Sequence, residues 1–146
     1  MVQFTNEIDI GAPVQDVYDA LRAIDAYPTW LRHSTVYRGT KAGKPSGHPE
    51  STYEDHTTVG RMPGELVEDV PFHTLRFHQA KPSGSLDARI RYTVDVTESG
   101  THLTRVGEMT THGMLRMMQP VLIRMAAMES ERTLKALKLY VEQHAR

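Results

Sequence analysis

The 146-residue chain has no cysteine. That absence excludes a disulfide framework, a thiolate metal site and a thiol nucleophile together, and it fits a reducing compartment. The chain also lacks a surplus of charge of either sign. Its 17 Lys and Arg against 18 Asp and Glu leave a formal charge of -1, without the positive field on which binding to a phosphate backbone or an anionic membrane draws. No apolar run approaches the ~20 residues that span a bilayer, and the opening MVQFTNEIDI carries neither a basic leader nor a small-residue cleavage site. Nucleic-acid binding and integral membrane association are therefore not expected, and a cytoplasmic location is.

Several catalytic signatures are missing too. There is no GxSxG elbow for a nucleophilic hydrolase. The 8 His show no HExxH or HxH spacing, so neither a metal nor a cofactor is expected; a site built from His56, His102 and acidic neighbours would need strands to bring them together. GTKAGKPSG at 39–47 resembles a phosphate loop, but it is one residue short between its glycines. It has Pro45 where Ser or Thr should follow Lys44, and it precedes a strand, so it reads as a turn.

What is present is a patterned chain of ordinary composition, 39% hydrophobic and 24% charged. Its length suits one domain over 1–146 that withdraws roughly 68–70% of its unfolded surface from water. Val2, Phe4, Ile8 and Ile10 alternate with polar residues in a strand that Asn6 interrupts. Gly11-Ala12-Pro13 ends it, with Pro13 suited to the first helical position, and Val14, Val17, Leu21 and Ile24 predict an amphipathic helix. A second helical piece is expected over 25–31, with Pro28 in its first turn. Strands follow at 34–39, 51–59, 65–70, 73–79, 86–98 and 102–111, with a turn-rich loop at 43–49. Their short links favour antiparallel pairing. After Gly113 the period becomes 3.6, with Met114, Met118, Val121, Met125 and Met128 in one row, then Leu134, Leu137 and Val141. Such a helix, on the order of 45 Å long, is kinked at Pro120 or begins there, and it must pack on the sheet's apolar face.

This order, together with IGAPVQDVYDAL (10–21), DAYPTW (25–30), YEDHTTVGRMPGELVEDVP (53–71), SGTHLT (99–104) and LKALKLYVE (134–142), resembles the START/polyketide cyclase-dehydrase (SRPBCC) superfamily. The resemblance implies an α+β helix-grip fold, a curved antiparallel sheet wrapped around a long C-terminal helix, with a cavity between the two. Members include polyketide aromatase/cyclases, lipid and quinone carriers and chaperone activators, so fold alone does not select an activity. The implied partner is a small hydrophobic or aromatic molecule.

Alternation selects the side chains that face such a cavity. Ala88, Ile90, Tyr92, Val94 and Val96 share one face of their strand; Leu75 and Phe77 point inward on theirs, with His73 and Gln79 at its ends. If Tyr53 and Leu103 face inward, so do Asp55 and Arg105. Either a bulge turns these two outward as a surface pair worth ~0–1 kcal/mol, or they form a paired polar end to an apolar pocket. Trp30 is a core plug or a wall of the entrance. The methionines are core filler or adaptable ligand contacts. The candidate ligand-binding set is Trp30, Tyr53, Asp55, His73, Phe77, Ile90, Tyr92 and Arg105, with Met118, Leu122 and Met125 from the helix. In an enzyme, His73, Tyr53 or Asp55 would act as acid or base and Arg105 would stabilise an enolate. A non-catalytic carrier and an interaction module are the alternatives.

Overall fold

The computed structural model describes residues 2–34, 36–43 and 51–144. Seven strands, β1 (Val2–Ile10), β2 (Tyr37–Ala42), β3 (Thr52–Thr57), β4 (Gly60–Val70), β5 (Thr74–Ala80), β6 (Leu86–Thr97) and β7 (Gly100–Thr111), form one antiparallel sheet in the order β1-β7-β6-β5-β4-β3-β2. From β2 to β7 each strand pairs with its successor, as short links require. Only β1 travels to the far edge, where it closes on β7 along its whole length from Val2↔Met109 to Ile10↔Thr101. The expected turn-rich loop at 43–49 and the phosphate-loop-like stretch fall largely on 44–50, outside the described residues.

Pro13 directly precedes α1 (Val14–Arg22), which buries Val17, Tyr18 and Leu21. A single 3-10 turn over Ile24–Ala26 leads into α2 (Tyr27–Trp30), with Pro28 in its first turn. After β7 come one turn of helix, α3 (Met114–Met117), and the long α4 (Gln119–His144). Pro120 marks the true start of α4, because in the first turn its missing N–H has no intrahelical partner to lose.

α4 runs alongside β1 in the same direction. Val2 of β1 and Ile123 and Ala126 of α4 pack against one cluster that includes Met109 and Leu122, Lys138 Nζ donates to the Asp9 carbonyl at 2.9 Å, and the Gly11 amide donates to Glu142 at 2.8 Å. The buried face is Leu122, Ser130, Leu134, Leu137 and Val141. This corrects the expected methionine row: Met114 is 86% exposed and Met128 62%. The spacing of 122, 126, 130, 134, 137 and 141 is an equally regular stripe, one residue round the helix. Its middle holds Ala126 and Ser130, small residues that a count of large apolar side chains passes over. Val96, expected inward, is 81% exposed.

The interior is divided. A larger cluster joins Ile10, Val17, Leu21, Tyr92, Val94 and Leu103 to Leu134, Leu137 and Val141. A smaller one joins Met62, Leu86 and Met109 to Leu122. Helix and sheet are cemented at both ends and held apart between them.

Candidate functional site: a cavity with a polar end

Between the two clusters lies a cavity of about 190 Å³, far above the water-sized voids of a close-packed interior. Its walls come from nearly every element: Ile24, Tyr27 and Leu31 from the short helices, Tyr37 and Thr40 from β2, Tyr53 and Asp55 from β3. Phe77 and Gln79 of β5, Ile90 and Tyr92 of β6, and Arg105 of β7 form the floor, and Leu122, Met125, Ala126 and Ser130 of α4 the roof. Two glycines leave room for rings: a Cβ at Gly64 would meet the Tyr53 ring, and one at Gly107 the Phe4 ring. Tyr53, Phe77 and Tyr92 then stand edge to face in a row, with centroids 5.9 and 6.1 Å apart, a favoured aromatic arrangement.

Asp55 and Arg105 both face this space. The β7 register puts Arg105 opposite Asn6 on one side and Tyr92 on the other, all on the concave face. They do not form the expected ion pair. Asp55 accepts from Thr40 Oγ1 at 2.6 Å, and the Gln79 side chain also hydrogen-bonds it. Each of these partners is itself held by a tyrosine: Tyr37 Oη by contact with Thr40 Oγ1, and Tyr53 Oη by donating to Gln79 Oε1 at 2.7 Å. Arg105 Nε instead donates to Tyr92 Oη at 2.9 Å, its guanidinium 5.5 Å from that ring's centroid. Asp55 is held by neutral neighbours and Arg105 through its Nε alone, and both charges line the cavity.

Desolvation dominates the titration of this end. Burial pushes the Asp55 carboxyl up to about 6, against the opposing pull of Thr40, the Arg105 charge and Gln79. Burial likewise raises the Tyr53 and Tyr27 phenols well above their usual range, with neighbouring tyrosines and Asp55 adding to it. Tyr37 is pushed up to about 12 for the same first reason. At neutral pH the tyrosines are fixed donors, and Asp55 is the one carboxyl at this polar end poised near its own titration.

The structure therefore brings together Tyr53, Asp55, Phe77, Ile90, Tyr92, Arg105, Leu122 and Met125. Three candidates stand elsewhere. His73 is exposed in the β4–β5 turn, where its amide bonds the Val70 carbonyl; the strand begins one residue later, so alternation no longer governs its side chain. Met118 is 48% exposed in the break between α3 and α4. Trp30 is the core plug, edge-on to Tyr27 at 5.0 Å and stacked on Tyr140 at 6.1 Å, and Tyr27 takes the cavity wall in its place. His56 and His102 are held apart by separate acidic partners, Glu54 for the first and Glu7 with Asp9 for the second.

Sequence reasoning missed Tyr37 and Thr40. A strand read as ending at Gly39 leaves Thr40 in a loop, whereas β2 continues to Ala42 with a register shift between Tyr37 and Thr40. That bulge puts residues three apart on one face, and the signal for it was Gly39, whose φ of 122° suits glycine alone. Ser130 was missed because a lone serine on a helix ordinarily reads as solvent-facing.

A sheet closed on a long helix, with an apolar cavity and a few oriented polar groups, defines a helix-grip protein. The chain belongs to the polyketide cyclase/dehydrase and lipid transport family, whose model matches residues 1–142. Among solved structures it resembles the di-domain aromatase/cyclase StfQ of the steffimycin pathway (16% identity, TM-score 0.78), covering 98% of this chain and 52% of that one. It also resembles a protein of Thermus thermophilus (13%, TM-score 0.78, 99% and 100% covered) and Aha1 of Colwellia psychrerythraea (19%, TM-score 0.66, 97% of each). At these identities the likeness is one of fold. No curated protein matches the sequence. No helix among the described residues is long and apolar enough to cross a membrane.

Proposed function

We propose that the protein binds a small hydrophobic or aromatic molecule in the cavity between sheet and α4, in the manner of polyketide cyclase/dehydrase-type proteins. The observation that carries this reading is the gap between the two core clusters, walled by aromatic and aliphatic side chains and ended by a preorganised polar network. Empty apolar space of this size costs stability, which a bound molecule offsets. A cytoplasmic setting accords with a chain free of cysteine. The test is fluorescence titration with the neutral probe N-phenyl-1-naphthylamine. Wild type should enhance its emission, and Ile90→Trp, which fills the cavity, should abolish the enhancement while far-UV circular dichroism is unchanged. Wild type without enhancement, or a variant that keeps it, overturns the reading.

A catalytic version is favoured by one observation, the Asp55 carboxyl lifted to about 6, where a general base near neutral pH is effective. Asp55 would take a proton next to a carbonyl, and the Arg105 and Tyr92 donors would stabilise the enolate, as aldol cyclisation or dehydration requires. Asp55→Asn should then abolish turnover and keep binding. A carrier would exchange its ligand unchanged in both proteins.

A further inference from the structure

The concave face has one level at which donors gather beside a single buried acceptor, Asn6 Oδ1, that has no partner. Arg105 sits there between Asn6 and Tyr92. Its Nε is spent on Tyr92 Oη, and among the described residues its two terminal nitrogens make no hydrogen bond and its charge no ion pair. Tyr92 Oη accepts that bond and keeps its own proton to donate. From the roof comes Ser130, 1% exposed, a cavity wall, its Oγ buried without a partner. Because α4 runs beside β1 with Lys138 at Asp9, Ser130, about two turns before Lys138, lies within about one helical turn of the level of Asn6 and Arg105.

An orphaned buried hydroxyl ordinarily costs about 1–3 kcal/mol. It is conspicuous on a stripe whose other large members are leucines and valine. A planar fork, a phenol proton and a spare hydroxyl facing one apolar space are the donor set for an anionic oxygen pair, and Arg is the side chain whose geometry matches a carboxylate on two nitrogens. One guanidinium balances one charge. A phosphate dianion would leave a net negative charge in a site with Asp55 across from it, where desolvation is expensive. Asp55 itself is turned to Thr40 and Gln79 and does not occupy the fork.

We propose that the natural ligand is an apolar carboxylic acid, its carboxylate received by Arg105 with Tyr92 and Ser130 as further donors and its hydrocarbon or ring body lying among Phe77, Ile90, Leu122 and Met125. This rests on the cavity reading above and sharpens it: it assigns Arg105 to ground-state binding of a permanent anion instead of a transient enolate.

The experiment is isothermal titration of wild type, Arg105→Gln, Arg105→Lys and Ser130→Ala at pH 8 with two matched probes, 2-naphthoate and the neutral 2-naphthalenemethanol. Wild type should prefer the acid by tenfold or more. Arg105→Gln should lose at least tenfold for the acid and stay within twofold for the alcohol. Arg105→Lys should recover part of the loss, and Ser130→Ala should lose roughly threefold for the acid alone. If Arg105→Gln fails to fold, the acid-to-alcohol ratio of wild type decides. Equal affinity of wild type for both probes, or an Arg105→Gln variant weakened equally for both, overturns the acid preference and leaves the cavity reading standing. Binding of neither probe by wild type overturns both.

Discussion

The two halves of α4 do different jobs. In the C-terminal half Leu134, Leu137 and Val141 are at most 3% exposed, wedged against β1, β6, β7 and α1. Lys138 and Glu142 tie that end to the β1–α1 turn. In the N-terminal half Leu122 and the polar Ser130 are the buried residues, Met125 and Ala126 face the cavity, and Val121 and Met128 are more than half exposed. The difference teaches that a helix gripped along its whole length would leave no room for a ligand. One half supplies the cohesion that lets the other stand off the sheet.

The sharpest way to break this contrast is to weaken the gripping half. Leu137→Ala removes a side chain with 0% exposure and should cost about 2–5 kcal/mol of unfolding free energy. Urea denaturation gives the number. A loss below about 1 kcal/mol would mean that the two halves are equivalent and the division of labour is wrong.

Next in size is Asp55→Asn, which tests the price of the polar end. The unfolded carboxyl titrates near 3.8 and the folded one near 6, so between those values the folded state holds the extra proton. The penalty of burying the anion is absent below the unfolded value, grows from there to about pH 6, and is fully present above. Two units correspond to on the order of 3 kcal/mol. Asparagine can still accept from Thr40. The groups around it, Tyr37 and Thr40 on β2, Tyr53 and His56 on β3, Gln79 on β5 and Arg105 on β7, are unchanged, so the difference between the two proteins isolates this one group. The variant should be the more stable protein at pH 8 by roughly 2–3 kcal/mol and level with wild type near pH 4. Parallel stability curves would remove the desolvated carboxyl from the account.

The contrast also explains what could be read from residues alone. The strand order and the helix were legible because alternation of two and of 3.6 are imposed by burial on one face, and the sheet and α4 bury faces over most of their length. Asp55 and Arg105 were legible as charges at inward positions for the same reason. The opaque features were those where a local irregularity resets the phase. The bulge at Gly39 brings Tyr37 and Thr40 to one face, the break at Met118 rotates the helix stripe away from the methionines, and the turn at Phe72 and His73 delays the start of β5 by a residue. Periodicity has nothing to say about the residue at which it is interrupted.

Smaller still should be the effect of Ser130→Ala on stability, and its sign is informative. A hydroxyl buried without a partner is a liability in the ligand-free protein, so the variant should gain about 1 kcal/mol in urea, within the range for relieving an unsatisfied buried polar group. It should do so while losing affinity for the acid probe. A variant destabilised by the change would show that the hydroxyl has a structural partner and that the standing-off half is held by more than its leucine.

The least effect is expected where the helix touches nothing. Met128 is 62% exposed, on the row that hydropathy alone would place in the core, so Met128→Gln separates the two stripes directly. If the buried face is Leu122, Ala126, Ser130, Leu134, the substitution changes a solvated side chain with comparable helix propensity, and unfolding free energy should move by less than about 0.5 kcal/mol. Were Met128 part of the packed seam, trading a thioether for a buried amide would cost several times that, because the new polar group would find no partner among leucines. Comparing this variant with Leu137→Ala in the same buffer therefore measures, on one helix and a little over two turns apart, how unevenly the grip is distributed.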